Sequence, residues 1–248
     1  MKRSLLSSPL LVAAALAISL GGMVAPARAT TYTTLTLPTL NADIRVLTDG
    51  SAYNPLFPST STFNSVPFDL VVDIDNYTVL WEGVFDISVN VVGVTQAYTL
   101  INSGFGTFGA NNGSVEFFGT NSAYYKVDLV QGANIRDHFN NVFNNTIDNT
   151  TAIPAFSATG ATTNRELRLD QQIYNLPSQF GSETLQTIRF TSLFNDGSNG
   201  YVDANGIAFI AAATVGVDTG TATVPEPATL ALIGVGLVGL GFSRRRRA

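Results

Sequence analysis

Gly104, Gly106 and Gly109 (GFGTFG) have the spacing that cradles a pyrophosphate when it lies between a strand and a helix N-terminus. Here Ala110-Asn111-Asn112-Gly113 and another strand pattern follow, so a glycine-rich loop is expected and a nucleotide site is not. His138 is the chain's one histidine, which excludes a histidine-rich metal site. Ser-His-Asp catalysis would need a serine and an aspartate to converge on it. The expectation is a polar residue on a surface turn, and Asp137 beside it points elsewhere if the segment is helical. Asp69, Asp73 and Asp75, and separately Asn195, Asp196 and Asn199, offer the hard oxygens that calcium takes. Neither stretch has EF-hand spacing, and both suit turns. No cofactor is expected, and calcium is the candidate if one is held. Trp81, Tyr53, Tyr98, Tyr124, Tyr125, Tyr174 and Tyr201 could stack on sugar rings. Tyr124 and Tyr125 are consecutive, so in a strand one of them must face away from the core.

The elements that would position these groups read as strands. Few charges, many Thr, Asn, Gly, Val and Phe, and scarce Lys, Glu and Met favour β-structure over helix. Strand patterns run over Thr31–Leu37, Val66–Ile74, Thr78–Glu82, Phe85–Val92, Gln96–Ile101, Ser114–Phe118, Tyr124–Val130, Glu166–Tyr174, Leu185–Phe194 and Ile207–Val217. GTNSA at 119–123 is hairpin chemistry, with Gly119 and Asn121 available for positive φ. Glu166–Tyr174 alternates so that Leu167, Leu169 and Ile173 face a core while Arg168, Asp170 and Gln172 face solvent. Leu40–Phe63, with Asp49-Gly50, Pro55 and Pro58, reads as a turn-rich ordered loop, Asn144–Thr163 as a polar loop, and Ile135–Asn144 as the body's one short helix. About ten short strands without a βαβ rhythm predict an all-β fold, a two-sheet β-sandwich.

Charge narrows the partners. Of 13 Lys and Arg only 6 lie between Thr30 and Val224, against 17 of the 18 Asp and Glu, so this stretch carries about −11. Nucleic-acid binding needs cations that displace phosphate counterions, and such a body repels phosphate. Anionic polysaccharide is disfavoured on the same ground unless a divalent cation bridges. There is no Cys, which removes disulfides, thiolate metal sites, a cysteine nucleophile and a lipid-modified amino terminus. Seventeen carboxylates leave any particular acid-base pair uninformative.

The carboxyl end is more specific. VPEPATLALIGVGLVGLGFSRRRRA joins Pro225-Glu226-Pro227 to an apolar run from Ala228 to Phe242 and then to Arg244, Arg245, Arg246 and Arg247. As a helix the 15-residue run reaches about 22 Å, short of a hydrocarbon core of roughly 30 Å. The arginines assign its far side to the cytoplasm, leaving everything before Pro225 outside. This tail resembles the PEP-CTERM sorting tail of bacterial exported proteins. The resemblance implies recognition at the inner membrane by an exosortase, cleavage near Pro225–Pro227, and delivery of the body to the cell surface or an exopolysaccharide matrix.

At the other end, Lys2 and Arg3, the apolar run Leu10–Leu20 and Ala27-Arg28-Ala29 read as a signal peptide, with Ala27 and Ala29 at the positions a signal peptidase inspects. The expected organisation is a signal peptide at 1–29, a β-sandwich at 30–224 and a sorting tail with a short hydrophobic helix at 225–248. The body also resembles galactose-binding-like jelly-roll domains in STFNSVPFDLVV, YTLINSGFG, SVEFFGTNSAYYKVDLVQGANIRDHF and TLQTIRFTSL. Together these readings predict an exported, non-enzymatic protein for adhesion, matrix structure or glycan binding. It would be processed by exosortase and signal peptidase at the inner membrane, with polysaccharide as a possible partner. The alternative is a secreted hydrolase acting on polysaccharide, for which two carboxylates facing across a deep acidic cleft are expected.

Overall fold

Alternating patterns become strands throughout the computed structural model, which describes residues 28–140, 145–193 and 206–221. Twelve strands run through them: β1 Arg28–Leu35, β2 Ser59–Phe63, β3 Val66–Leu70, β4 Leu80–Trp81, β5 Gly83–Val92, β6 Val94–Gly104, β7 Asn111–Gly119, β8 Tyr124–Val130, β9 Ala152–Thr159, β10 Glu166–Asn175, β11 Thr184–Ser192 and β12 Ile207–Thr221. The chain divides into the unit Thr30–Asp218 and a second unit, Met1–Ala29 with Thr219–Ala248. Of the second unit only residues 28–29 and 219–221 are described. Residues 28–29 apart, the expected signal peptide and the expected hydrophobic tail helix lie outside the described residues. Among the described residues no helix is long and apolar enough to cross a membrane.

Within Thr30–Asp218 the strands form a β-sandwich. One sheet has the order β5-β11-β7-β8; the other has the order β1-β12-β6-β10-β9, with β4 added on β12. Ile87, Val115, Phe117, Ile188 and Phe190 of the first sheet meet Ile101, Tyr174, Ala208 and Ile210 of the second in one core. The second sheet is buried on its other face too. There Leu100, Leu167, Leu169, Phe209 and Ala211 pack against the 3-10 turns Ile44–Val46 and Gly50–Leu56 and the β2-β3 hairpin, through Ile44, Tyr53, Leu56, Val66 and Phe68. A strand covered on both faces reads as a continuous apolar run, which is why β12 is IAFIAAATV at its start. Each wholly buried ring, such as Phe117 or Phe209, contributes about 2 kcal/mol relative to exposure.

Three expectations are corrected here. Leu40–Phe63 is not a plain loop, because its two 3-10 turns and β2 build the third layer. Asn144–Thr163 is likewise no plain loop, because it contains β9, paired along β10. Ile135–Asn144 is not helical over its described residues, 135–140: bridges Gln131↔Ile135, Ser103↔Asp137 and Phe139↔Leu167 hold them extended beside β6 and β10. The Asp137 carboxylate accepts the backbone N–H groups of Phe105 and Phe139, an alternative to helical pairing that short polar side chains offer.

That extended segment also explains the fourth correction. Arg168, Asp170 and Gln172 of β10 are buried, not solvent-facing. Arg136 forks onto Asp170, and Arg168 donates to the Asp137 carbonyl and to the Asn140 and Asn145 side chains, so polar groups cover polar groups. In the β7-β8 hairpin positive φ falls on Asn121 and Ser122 rather than on Gly119. Tyr124 is 46% exposed while Tyr125 stacks on Phe117, as consecutive strand residues must.

Candidate functional site

Five stretches distant in sequence converge on one cleft of about 290 Å³, lined by Leu47, Thr48, Trp81, Gly104, Phe105, Asp137, His138, Phe139, Thr163 and Arg165, and three of these segments bring its ring and charged groups. Trp81 belongs to β4, which pairs with β12, and its backbone N–H donates to Asn41 Oδ1 at 2.7 Å. One indole face lies flat on Phe209, at 5.2 Å between centroids and 1° between planes. The half-buried ring also lines the cleft. Gly104 makes room for the ring, since a Cβ there would stand 2.9 Å from Trp81 Cη2.

The second segment contributes Asp137 and His138, and both depart from the sequence expectation. His138 is buried rather than on a surface turn, and Asp137 lines the same cleft rather than pointing elsewhere. The Tyr53 hydroxyl donates to the Arg168 carbonyl at 3.0 Å and lies 3.1 Å from His138 Nδ1. One hydroxyl hydrogen cannot serve both, so Nδ1 carries the hydrogen given to Tyr53 and Nε2 is the basic nitrogen. Burial pushes the His138 pKa down to about 4, and the nearby Arg168 guanidinium adds to this. Burial pushes the Asp137 carboxyl up to about 7, against the pull of its two backbone N–H donors and Arg168.

The third segment is the turn between β9 and β10. Gly160 N–H donates to the Arg165 carbonyl at 2.8 Å and Asn164 N–H to the Gly160 carbonyl at 3.1 Å. Asp49 ties this turn to the 3-10 layer: its oxygens accept Thr162 N–H and Thr163 N–H at 2.7 Å each, and also the Thr163 hydroxyl. These bonds, the Thr163 hydroxyl foremost, hold the Asp49 carboxyl below its ordinary range. Arg165 and Thr163 are thereby set on the rim. Neither Asp49 nor Arg165 stood out in the sequence, since the signal is the bonding of Asp49 to Thr162 and Thr163, 113 and 114 residues further on.

Other predicted groups lie elsewhere. GFGTFG joins β6 to β7 as a loop with positive φ at Gly106 and Gly109, and it leads into a strand. Asp69 accepts Thr34 and Thr60 hydroxyls, and Asp73 accepts Asp75 and Tyr77 N–H groups within its turn. Among the described residues no three His, Cys, Asp or Glu gather as metal ligands. Tyr53, Tyr98 and Tyr174 are core residues, and Tyr124 sits on the outer face of the four-stranded sheet. Asn195, Asp196, Asn199, Tyr201, Ala27, Pro225, Glu226, Pro227 and Arg244–Arg247 lie outside the described residues, while Ala29 is an exposed residue of β1. A second hollow of about 320 Å³ lies over Arg136, Pro154, Phe156, Glu166 and Arg168, but both guanidinium groups there are already bound to protein atoms.

Chemically, the cleft offers an aromatic face, apolar walls, hydroxyls, a neutral imidazole, a buried carboxyl and a free cation. Asp137 is the one carboxylate among its described lining residues. Beyond the geometry, residues 223–247 match the family model of the PEP-CTERM protein-sorting motif. No match to the chain is found among curated proteins.

Proposed function

We propose that this chain, exported and sorted by exosortase through the PEP-CTERM motif at residues 223–247, carries a non-enzymatic glycan-binding body that serves adhesion or matrix structure at the cell surface or in the extracellular matrix. Signal peptidase would release the amino terminus after Ala29, and the inner membrane would be a transient station. The observation that carries the binding reading is Trp81, backed by Phe209 on one face and lining the cleft, beside Thr163, Asp137 and His138. The pyranose C–H face packs on flat aromatic rings, and its hydroxyls need convergent polar groups, which is the pairing such a cleft provides. Among the described lining residues a single carboxyl, that of Asp137, is held by two backbone N–H groups, and this favours holding a sugar over cleaving it, since glycoside hydrolysis uses two.

The test is a glycan screen of the mature protein purified from its own cells, with and without calcium. Binding of at least one sugar class, lost on Trp81→Ala, is expected. Silence across all glycans, or turnover of any of them, would overturn the reading.

A further inference from the structure

The six cations between Thr30 and Val224 are Arg45, Lys126, Arg136, Arg165, Arg168 and Arg189. Arg45, Lys126, Arg136 and Arg189 are ion-paired, and Arg168 is buried among hydrogen-bond acceptors. Among the described residues Arg165 alone has neither an ion pair nor a side-chain hydrogen bond, in a body of about −11 where acids are plentiful. The acids around it are engaged elsewhere: Asp49 with Thr162 and Thr163, Glu166 with Asn140, and Asp137 with Phe105 and Phe139. Arg165 is exposed at the rim, on a turn whose backbone is tied down by Asp49 and closed by the Gly160–Arg165 bond. A Cβ on Gly160 would stand 2.4 Å from the Asp49 side chain, so the tie requires glycine there.

We infer that the cleft selects a carboxylated pyranose, a uronic acid unit, whose ring lies against Trp81 and whose carboxylate is taken by the Arg165 guanidinium, both of which line the cleft. The inference rests on the glycan-binding reading and names its ligand class. A guanidinium presents a planar fork that matches a carboxylate bidentately, whereas a sugar hydroxyl uses only part of it. Thr163 Oγ1, whose hydrogen goes to Asp49, keeps lone pairs for a sugar hydroxyl.

Size and charge refine the choice. A cleft of about 290 Å³ lies at the small end of ligand pockets, roughly 300–1,000 Å³, and accommodates one ring. The surrounding negative charge repels a run of carboxylates over a Debye length of about 8 Å, so a single uronate, isolated or at a chain end, is the ligand and a long polyuronate is not. Arg165 supplies directly the counter-charge that a bridging divalent cation would otherwise provide.

Isothermal calorimetry on the mature protein in EDTA tests this with glucuronic and galacturonic acids, their methyl esters, glucose and galactose. The expected result is at least one free acid bound about tenfold more tightly than its ester, with the difference abolished in Arg165→Gln and partly kept in Arg165→Lys. Equal binding of acid, ester and neutral sugar would overturn the inference while leaving the glycan-binding reading intact. Binding of acids that needs calcium, or that survives Arg165→Gln unchanged, would also overturn it. Binding of none of these six sugars would overturn the inference, and silence across the glycan screen as well would remove both.

Discussion

Two Arg–Asp pairs in this molecule have nearly the same fork and opposite surroundings. Arg136 donates from Nε and Nη2 to Asp170 at 2.7 and 2.6 Å, and Arg189 from the same atoms to Asp86 at 2.7 and 2.9 Å. The first pair's side chains are 12% and 3% exposed, the second pair's 40% and 51%. Asp170 further accepts Asn102 Nδ2 at 2.7 Å, and Arg136 gives Nη1 to the Asn145 carbonyl. Arg189 also lies 5.2 Å from the centre of the Phe118 ring and opposite Glu116 of β7. The difference teaches where polar residues hold the fold together. The buried pair fastens the segment after β8 onto β10 and so brings Asp137 and His138 to the cleft, whereas the exposed pair decorates a sheet that its apolar face already stabilises.

The largest expected effect breaks the buried pair. Arg136→Ala leaves Asp170 desolvated without its partner, and urea unfolding should show a loss of about 3–5 kcal/mol. Replacing both residues with apolar ones of similar volume should recover much of that loss. A loss no larger than that of a surface substitution would end the comparison.

An intermediate effect sharpens it through pH. Asp137 has a folded pKa of about 7, above the ordinary 3.8, so the folded protein keeps a proton that the unfolded chain releases, and stability falls as pH rises through this window. His138 has a folded pKa of about 4, below the ordinary 6.5, so the unfolded chain takes up a proton and stability falls as pH drops through that window. Between pH 4 and 6.5 the two oppose each other and the wild-type profile should be nearly flat. Asp137→Asn should then gain stability as pH rises from 4 to 6.5, and His138→Gln should lose it, each by on the order of 3 kcal/mol across its window. Thermal melts across that range check the slopes, and variants whose slopes match the wild type would contradict the assignment.

The smallest effect is at the exposed pair. Arg189→Ala should leave the urea midpoint without resolvable change at 0.15 M salt, because exposed ion pairs are screened and lose side-chain entropy on forming. A loss comparable to that of Arg136→Ala would show that the outer sheet face is not the passive surface described.

Much of this architecture was legible in the residues, and the failures have physical causes. Tyr124–Val130 was read with its true bounds because its alternation is strict and a hairpin turn precedes it. The apolar run from Ile207 marked a long final strand, and the fold shows why it is apolar, since both of its faces are buried. β9 was missed because Pro154 argues against a strand interior; the chain tolerates it because β9 is an edge strand whose register shifts opposite Leu169/Asp170, next to that proline. Arg168 and Asp170 looked solvent-facing because alternation reports polarity, and polarity equals exposure only when no other polar segment covers the strand. The sorting motif needed no fold to be seen. Trp81 was visible among the aromatics as a stacking candidate, but the cleft was not, since Arg165 gains meaning only when Asp49 pins its turn beside the indole.

Trp81 is the chain's single tryptophan, so its emission reports on the proposed site without labelling. Titrating the mature protein with glucuronic and galacturonic acids while recording that emission is the most direct test. A saturable shift in intensity or wavelength with at least one of them, absent in Arg165→Gln, is the predicted result. Emission unchanged by either acid at any concentration, in a protein that calorimetry shows to bind sugar, would place the ligand elsewhere and contradict the account.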